Sequence, residues 1–107
     1  MTRHVLFLCS QNRLRSPTAE QVFADWPGVE TASAGVLADA DVPVSPELLQ
    51  WADVIFVMEP AHRTRLANRH RQWLNGKRVI CLDIPDDYDF MQSELVELLK
   101  KKVVPHL

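Results

Sequence analysis

Apolar residues in this chain fall in short blocks separated by polar, proline-marked or glycine-marked segments, and two kinds of block alternate. Val5-Leu6-Phe7-Leu8 is a continuous apolar run, the pattern of a strand covered on both faces in a parallel sheet. Ala19, Val22, Phe23 and Trp26 then recur at three- and four-residue spacing, which gives a helix one apolar face; Ser16 is its expected N-cap and Pro17 its first helical residue. Pro27-Gly28 closes it. Val29 to Ala34 alternates weakly and predicts a second, less buried strand ending at Gly35, and Val36 to Pro43 has no period and reads as a surface loop. Ser45-Pro46-Glu47 opens a short helix to about Trp51, and Asp53 to Met58 carries the clearest buried strand. Ala61 to Leu74 predicts a helix dense in Arg and His, which Asn75-Gly76 turns into a fourth strand, Val79 to Leu82. After the acidic stretch Asp83 to Asp89, Leu95, Leu98 and Leu99 mark a final helix that Pro105 ends.

Strands alternating with helices at this rhythm predict an α/β fold, a three-layer doubly wound domain with a four-stranded parallel sheet and right-handed crossovers. In such sheets ligands sit beyond the carboxyl ends of the strands. Cys9 stands at the end of the first strand and Asp86 shortly after the fourth, so both loops are expected on one edge. The 107 residues, 1–107, suit a single domain.

Composition narrows the function classes. With 47% hydrophobic and 24% charged residues the chain is of globular type, and a net charge of -2 excludes bulk attraction to nucleic acid or an anionic membrane. Any anion must therefore be held locally. The only cysteines, Cys9 and Cys81, lie in or beside apolar runs, as expected of reduced thiols in a cytoplasmic protein, with Cys81 in the core. The N-terminal apolar run is too short for a secretory leader, and no run approaches the roughly 20 apolar residues of a membrane helix. Three glycines leave no dinucleotide fingerprint or Walker loop. His62 and His70 have no Cys or carboxylate partners at zinc spacing, so no metal is expected. The run His62-Arg63, Arg65, Arg69, His70, Arg71 reads as a solvated helix face, with docking of an acidic partner as the alternative.

The stretch Cys9-Ser10-Gln11-Asn12-Arg13-Leu14-Arg15-Ser16-Pro17 carries the chemistry. A strand, a tight loop and a helix N-terminus form an anion cradle, because loop amides and the first free N–H groups of the helix converge. Cys9 lies at its mouth, where such a field favours the thiolate, the reactive form of cysteine. Arg15, six residues on, offers a planar fork suited to the paired oxygens of a phosphate. Ser16 could donate its hydroxyl to the thiolate as well as cap the helix. Asn12 is of a type that tolerates the left-handed backbone an inward-curling loop requires. Arg13 reads either as a solvated loop residue or as a rim group for an acid flanking the phosphate. Asp86 competes with Asp83, Asp87 and Asp89 for any acid–base role.

From Cys9 through Arg15-Ser16-Pro17 to Ala19-Glu20, the segment resembles the phosphate-binding loop of the low-molecular-weight protein tyrosine phosphatases. The resemblance continues at Ser33-Ala34-Gly35, Val57-Met58-Glu59 and Ile84-Pro85-Asp86-Asp87-Tyr88, in order along nearly the whole chain. It implies hydrolysis of phosphate monoesters, phosphotyrosine in protein foremost, or of small aryl phosphates, without cofactor or metal, by a monomer or weak dimer. Cys9 would be the nucleophile forming a phosphocysteine. Arg15 and the loop Ser10, Gln11, Asn12, Arg13, Leu14 and Ser16 would hold the phosphate. Asp86 would be the general acid and then base, and Tyr88 the aromatic beside the substrate ring. Gln11 stands where the family has Gly, Leu14 where a second cysteine is common, and Asp87 where proline follows the acid; the segment between strands two and three is also shorter. Thiol-dependent arsenate reduction and phosphate binding without turnover are the alternatives.

Overall fold

The computed structural model describes residues 2–107. Four strands, β1 (Arg3–Cys9), β2 (Val29–Gly35), β3 (Val54–Val57) and β4 (Arg78–Cys81), form one parallel sheet in the order β2-β1-β3-β4. Four helices connect or follow them: α1 (Arg15–Phe23), α2 (Pro46–Trp51), α3 (Pro60–His70) and α4 (Ser93–Val103). The predicted doubly wound α/β architecture with a four-stranded parallel sheet is the one observed.

The apolar run of β1 buries both faces because successive side chains point to opposite sides of the sheet. Val5, Phe7 and Cys9 face one core with Phe23 of α1 and Leu95, Leu99 and Val103 of α4. Leu6 and Leu8 face the other, with Leu49 of α2 and Leu66 of α3. Phe7 stacks between Phe23 and Phe56, with centroids 5.9 and 5.4 Å away. Because β1 lies between β2 and β3, the chain passes from one side of β1 to the other after β2, and the crevice at that switch lies above Cys9.

Four expectations need correction. Helix α1 runs from Arg15 to Phe23 with Leu14 as its N-cap, whereas the pattern places its cap at Ser16, its first residue at Pro17 and Trp26 still within it. The Leu14 carbonyl already receives both the backbone N–H of Thr18 at 3.2 Å and its hydroxyl at 2.7 Å, which frees Ser16 from capping. The segment from Val36 to Pro43 is not a loose surface loop: Val36 and Ala40 are buried, and its N–H groups bind the loop after β1. Helix α3 stops at His70 and passes into a 3-10 turn, Arg71–Trp73. Cys81, at the edge-strand position of β4, is half-buried rather than fully in the core.

Gly35 ends β2 directly beneath that loop. A Cβ there would lie 2.5 Å from the Ala40 Cβ and 2.6 Å from the Ser10 carbonyl oxygen, both held by backbone on either side. Gly35→Ala is therefore expected to destabilise the protein by about 1–3 kcal/mol, the usual cost of overpacking, read as a lower urea midpoint at unchanged slope; an unchanged midpoint would show that the loop has slack.

Candidate active site

The loop from Ser10 to Leu14 is fastened on its outer side. The carbonyls of Cys9, Ser10 and Gln11 accept the N–H groups of Val36, Leu37 and Asp41 at 2.9, 3.1 and 3.1 Å. With these carbonyls bound outward, the loop amides and the first amides of α1, whose start has no side-chain cap, remain as donors for an anion. Asn12 takes the left-handed conformation, with φ of 58°, whereas Gln11 does not. A glycine two residues after Cys9 is thus not required by this loop.

Asn12 also works through its side chain. Its Nδ2 donates to Ser16 Oγ at 3.0 Å and to Ser33 Oγ at 2.9 Å, and Ser33 in turn donates to Glu20 Oε1 at 2.5 Å. Ser16 Oγ lies 2.9 Å from Cys9 Sγ and 3.3 Å from the Ala34 carbonyl. Since Ser16 Oγ accepts from Asn12, its own proton is directed at the thiol sulfur or that carbonyl, and a thiolate at Cys9 is the stronger acceptor. Glu20 and Ser33 stand in the sequence motifs with no chemistry of their own to mark them; they meet only because α1 packs on β2.

Arg15 is 2% exposed. One of its terminal nitrogens donates to Glu59 Oε2 at 2.5 Å and to the Ile84 carbonyl at 2.8 Å, and its Nε lies 3.6 Å from Asp86 Oδ1. The guanidinium is held by groups from the ends of β3 and β4. Cys9, Arg15 and Asp86, with Ser10, Gln11, Arg13 and Leu14, line one cavity of about 310 Å3. Asn12 and Ser16 stand behind it. Of the four candidate aspartates, Asp86 alone lines the cavity among the described residues. Arg13 is a half-exposed rim residue, its Nε 3.3 Å from Asp41 Oδ1 and a terminal nitrogen 3.2 Å from Gln11 Oε1. Tyr88 does not line this cavity: it packs against the α1–α4 core and borders a separate depression with Glu94 and Leu98. A larger hollow of about 600 Å3 between α1, β2 and Phe90 is lined by neither a thiol nor an imidazole among the described residues.

His62 corrects the reading of α3 as a wholly solvated basic face. It is 4% exposed and turned toward the cavity wall. Its Nδ1 accepts the backbone N–H of Glu59 at 3.2 Å, and its Nε2 lies 3.0 Å from Ser10 Oγ. Burial first, and then the positive charge of Arg15, lower its pKa below the ordinary 6.5, against the opposing pull of Glu59 and Asp86. The available signal was positional: Glu59-Pro60 begins a helix after β3, and a residue three places on can reach back to the cap. Among the described residues no cluster of His, Cys, Asp and Glu could hold a metal ion, and no helix is long and apolar enough to cross a membrane.

Because folding lowers the pKa of His62, its neutral form supports stability fully above pH 6.5, and that contribution is lost as pH falls through 6.5 toward the native value. The melting temperature of His62→Gln is expected below wild type at pH 7.5, with the gap narrowing toward pH 5. A gap independent of pH would contradict a buried neutral imidazole.

No protein-family profile matches the sequence, and no curated protein matches it in sequence. Solved structures do match in fold. The tyrosine phosphatase Wzb from Escherichia coli K30, in complex with phosphate, aligns with a TM-score of 0.78 at 21% identity, covering 99% of this chain and 96% of that one. The low molecular weight protein tyrosine phosphatase from T. tengcongensis aligns at 0.77 with 23% identity, covering 99% and 100%. YwlE arginine phosphatase from Geobacillus stearothermophilus aligns at 0.73 with 20% identity, covering 98% and 97%. Over essentially its whole length, the chain has the fold of the low-molecular-weight protein tyrosine phosphatases.

Proposed function

We propose that this protein hydrolyses phosphorylated protein side chains, phosphotyrosine first among them, through a phosphocysteine. The observation that carries the reading is the convergence of Cys9, Arg15 and Asp86 on one cavity at the carboxyl edge of the sheet. The phosphoryl group sits in the Ser10–Leu14 loop, its equatorial oxygens against loop amides and the Arg15 guanidinium. Cys9 Sγ attacks phosphorus as the bond to the leaving oxygen breaks, and Asp86 delivers a proton to that oxygen. Asp86, now a carboxylate, then takes a proton from water as the water oxygen attacks phosphorus, which releases phosphate and restores the thiolate. Ser16, donating to sulfur, stabilises the thiolate both as nucleophile and as leaving group.

A second substrate reading, phosphoarginine, is favoured by two features: no aromatic side chain among the described residues lines the cavity, and Asp86 lines it while Asp41 pairs with the rim residue Arg13. A guanidinium leaving group fits such a rim, and an arginine phosphatase is among the matching structures. Arsenate reduction by a thiol relay is disfavoured by geometry. Cys81 pairs with Val57, which pairs with Leu8, placing it two strands, about 10 Å, from β1. It also faces the α2–α3 side, whereas Cys9 faces the other.

With para-nitrophenyl phosphate, Cys9→Ser is expected to abolish turnover, and Asp86→Ala to lower kcat by roughly 10²–10⁴-fold, the contribution typical of a positioned acid–base group. Turnover that survives Cys9→Ser would remove the nucleophile assignment. Comparison of kcat/KM on a phosphotyrosine peptide and a phosphoarginine peptide decides between the two substrate readings.

A further inference from the structure

His62 belongs to no step of the hydrolysis above, yet it is a buried imidazole one hydrogen bond from the cavity. Its two ring nitrogens face different groups: Nδ1 meets the Glu59 backbone, and Nε2 lies nearer to Ser10 Oγ, at 3.0 Å, than to Glu59 Oε2, at 3.7 Å. Nδ1 accepts the Glu59 backbone N–H, so Nδ1 carries no proton. A neutral ring then carries its proton on Nε2, 3.0 Å from Ser10 Oγ. Burial and the nearby Arg15 charge favour that neutral form. Nε2–H donates to Ser10 Oγ, and the serine hydroxyl, having accepted a hydrogen bond on oxygen, turns its own proton elsewhere. Ser10 lines the cavity beside Cys9, so an anion bound there would offer that proton an acceptor.

We propose that His62 is a positioning residue that orients the Ser10 hydroxyl as a hydrogen-bond donor to a phosphoryl oxygen, adding a side-chain contact to the amides and Arg15. The inference rests on the phosphate-cavity reading above but not on turnover. Helix α3 contributes both ends of this arrangement through its first turn: Glu59 holds Arg15 with its carboxylate and fixes the His62 tautomer with its N–H. Two phosphate donors, Arg15 and Ser10, are thereby oriented from one helix start, and the chain Glu59 N–H, His62, Ser10 passes its polarity toward the anion.

The consequence is a specific non-additivity. Ser10→Ala is expected to weaken binding of inorganic phosphate and to lower kcat/KM for para-nitrophenyl phosphate, each about tenfold, the scale of a hydrogen bond to a charged group. His62→Leu, which removes the donor, should cost about the same, whereas His62→Gln, whose amide can reach Ser10, should recover part of the loss. In the Ser10→Ala background, His62→Leu should add no further loss of phosphate affinity although it still lowers the melting temperature. Equal losses of affinity from His62→Leu with and without the Ser10 hydroxyl would overturn the proposal, and so would unchanged phosphate affinity in Ser10→Ala. Phosphate titration needs no turnover, so a protein that binds phosphate through Ser10 yet fails to hydrolyse para-nitrophenyl phosphate would overturn the phosphatase reading and leave this inference standing.

Discussion

A buried guanidinium organises this molecule. Arg15 is 2% exposed, and a cation withdrawn from water without partners would cost several kcal/mol. Its partners come from two places distant in sequence: the carboxylate of Glu59 after β3, and, after β4, the carbonyl of Ile84 and more loosely the carboxylate of Asp86. Satisfying one side chain therefore draws the ends of β3 and β4 toward the start of α1. The cavity is what remains between them and the Cys9 loop.

The sheet order makes that convergence possible. Parallel strands deliver all their carboxyl ends to one edge, and the position of β1 between β2 and β3 places the Cys9 loop where neighbouring connections diverge. On one flank, the segment after β2 binds the loop carbonyls and approaches so closely that Gly35 has no space for a Cβ. On the other, α3 begins with Glu59 and His62 against Arg15 and Ser10. A five-residue connection is thus held from outside by backbone and from beneath by side chains, a preorganised cradle rather than a mobile loop.

Strand and helix placement was legible because it follows from local patterning. The apolar run of β1 and the three- and four-residue spacing in α1 reflect burial on two faces and one face respectively, and both elements are present, with α1 starting and ending earlier than its pattern predicts. The Cys9-to-Arg15 spacing and the left-handed Asn12 were legible for a similar reason: both are properties of a short loop. What was misread depended on packing. Ser16 has the chemistry of a cap but lies inside the helix, because Leu14 and Thr18 close the first turn and the hydroxyl meets Cys9 instead. Tyr88 has the motif position of a pocket aromatic but packs, partly buried, against the α1–α4 core. His62 sits in a basic run, yet helical periodicity turns it inward while Arg63, Arg69 and Arg71 stay exposed.

The amino-acid sequence by itself determined the alternation of strands and helices, the edge on which chemistry could sit, and the pairing of one thiol with one arginine across a five-residue loop. These depend on neighbours within a few residues and on the period of the backbone. Only the tertiary structure decided which carboxylates meet Arg15, which aspartate of the acidic stretch lines the cavity, and that a histidine more than fifty residues from Ser10 touches its hydroxyl. Those contacts join segments whose separation along the chain carries no distance information until the sheet brings their ends to one edge.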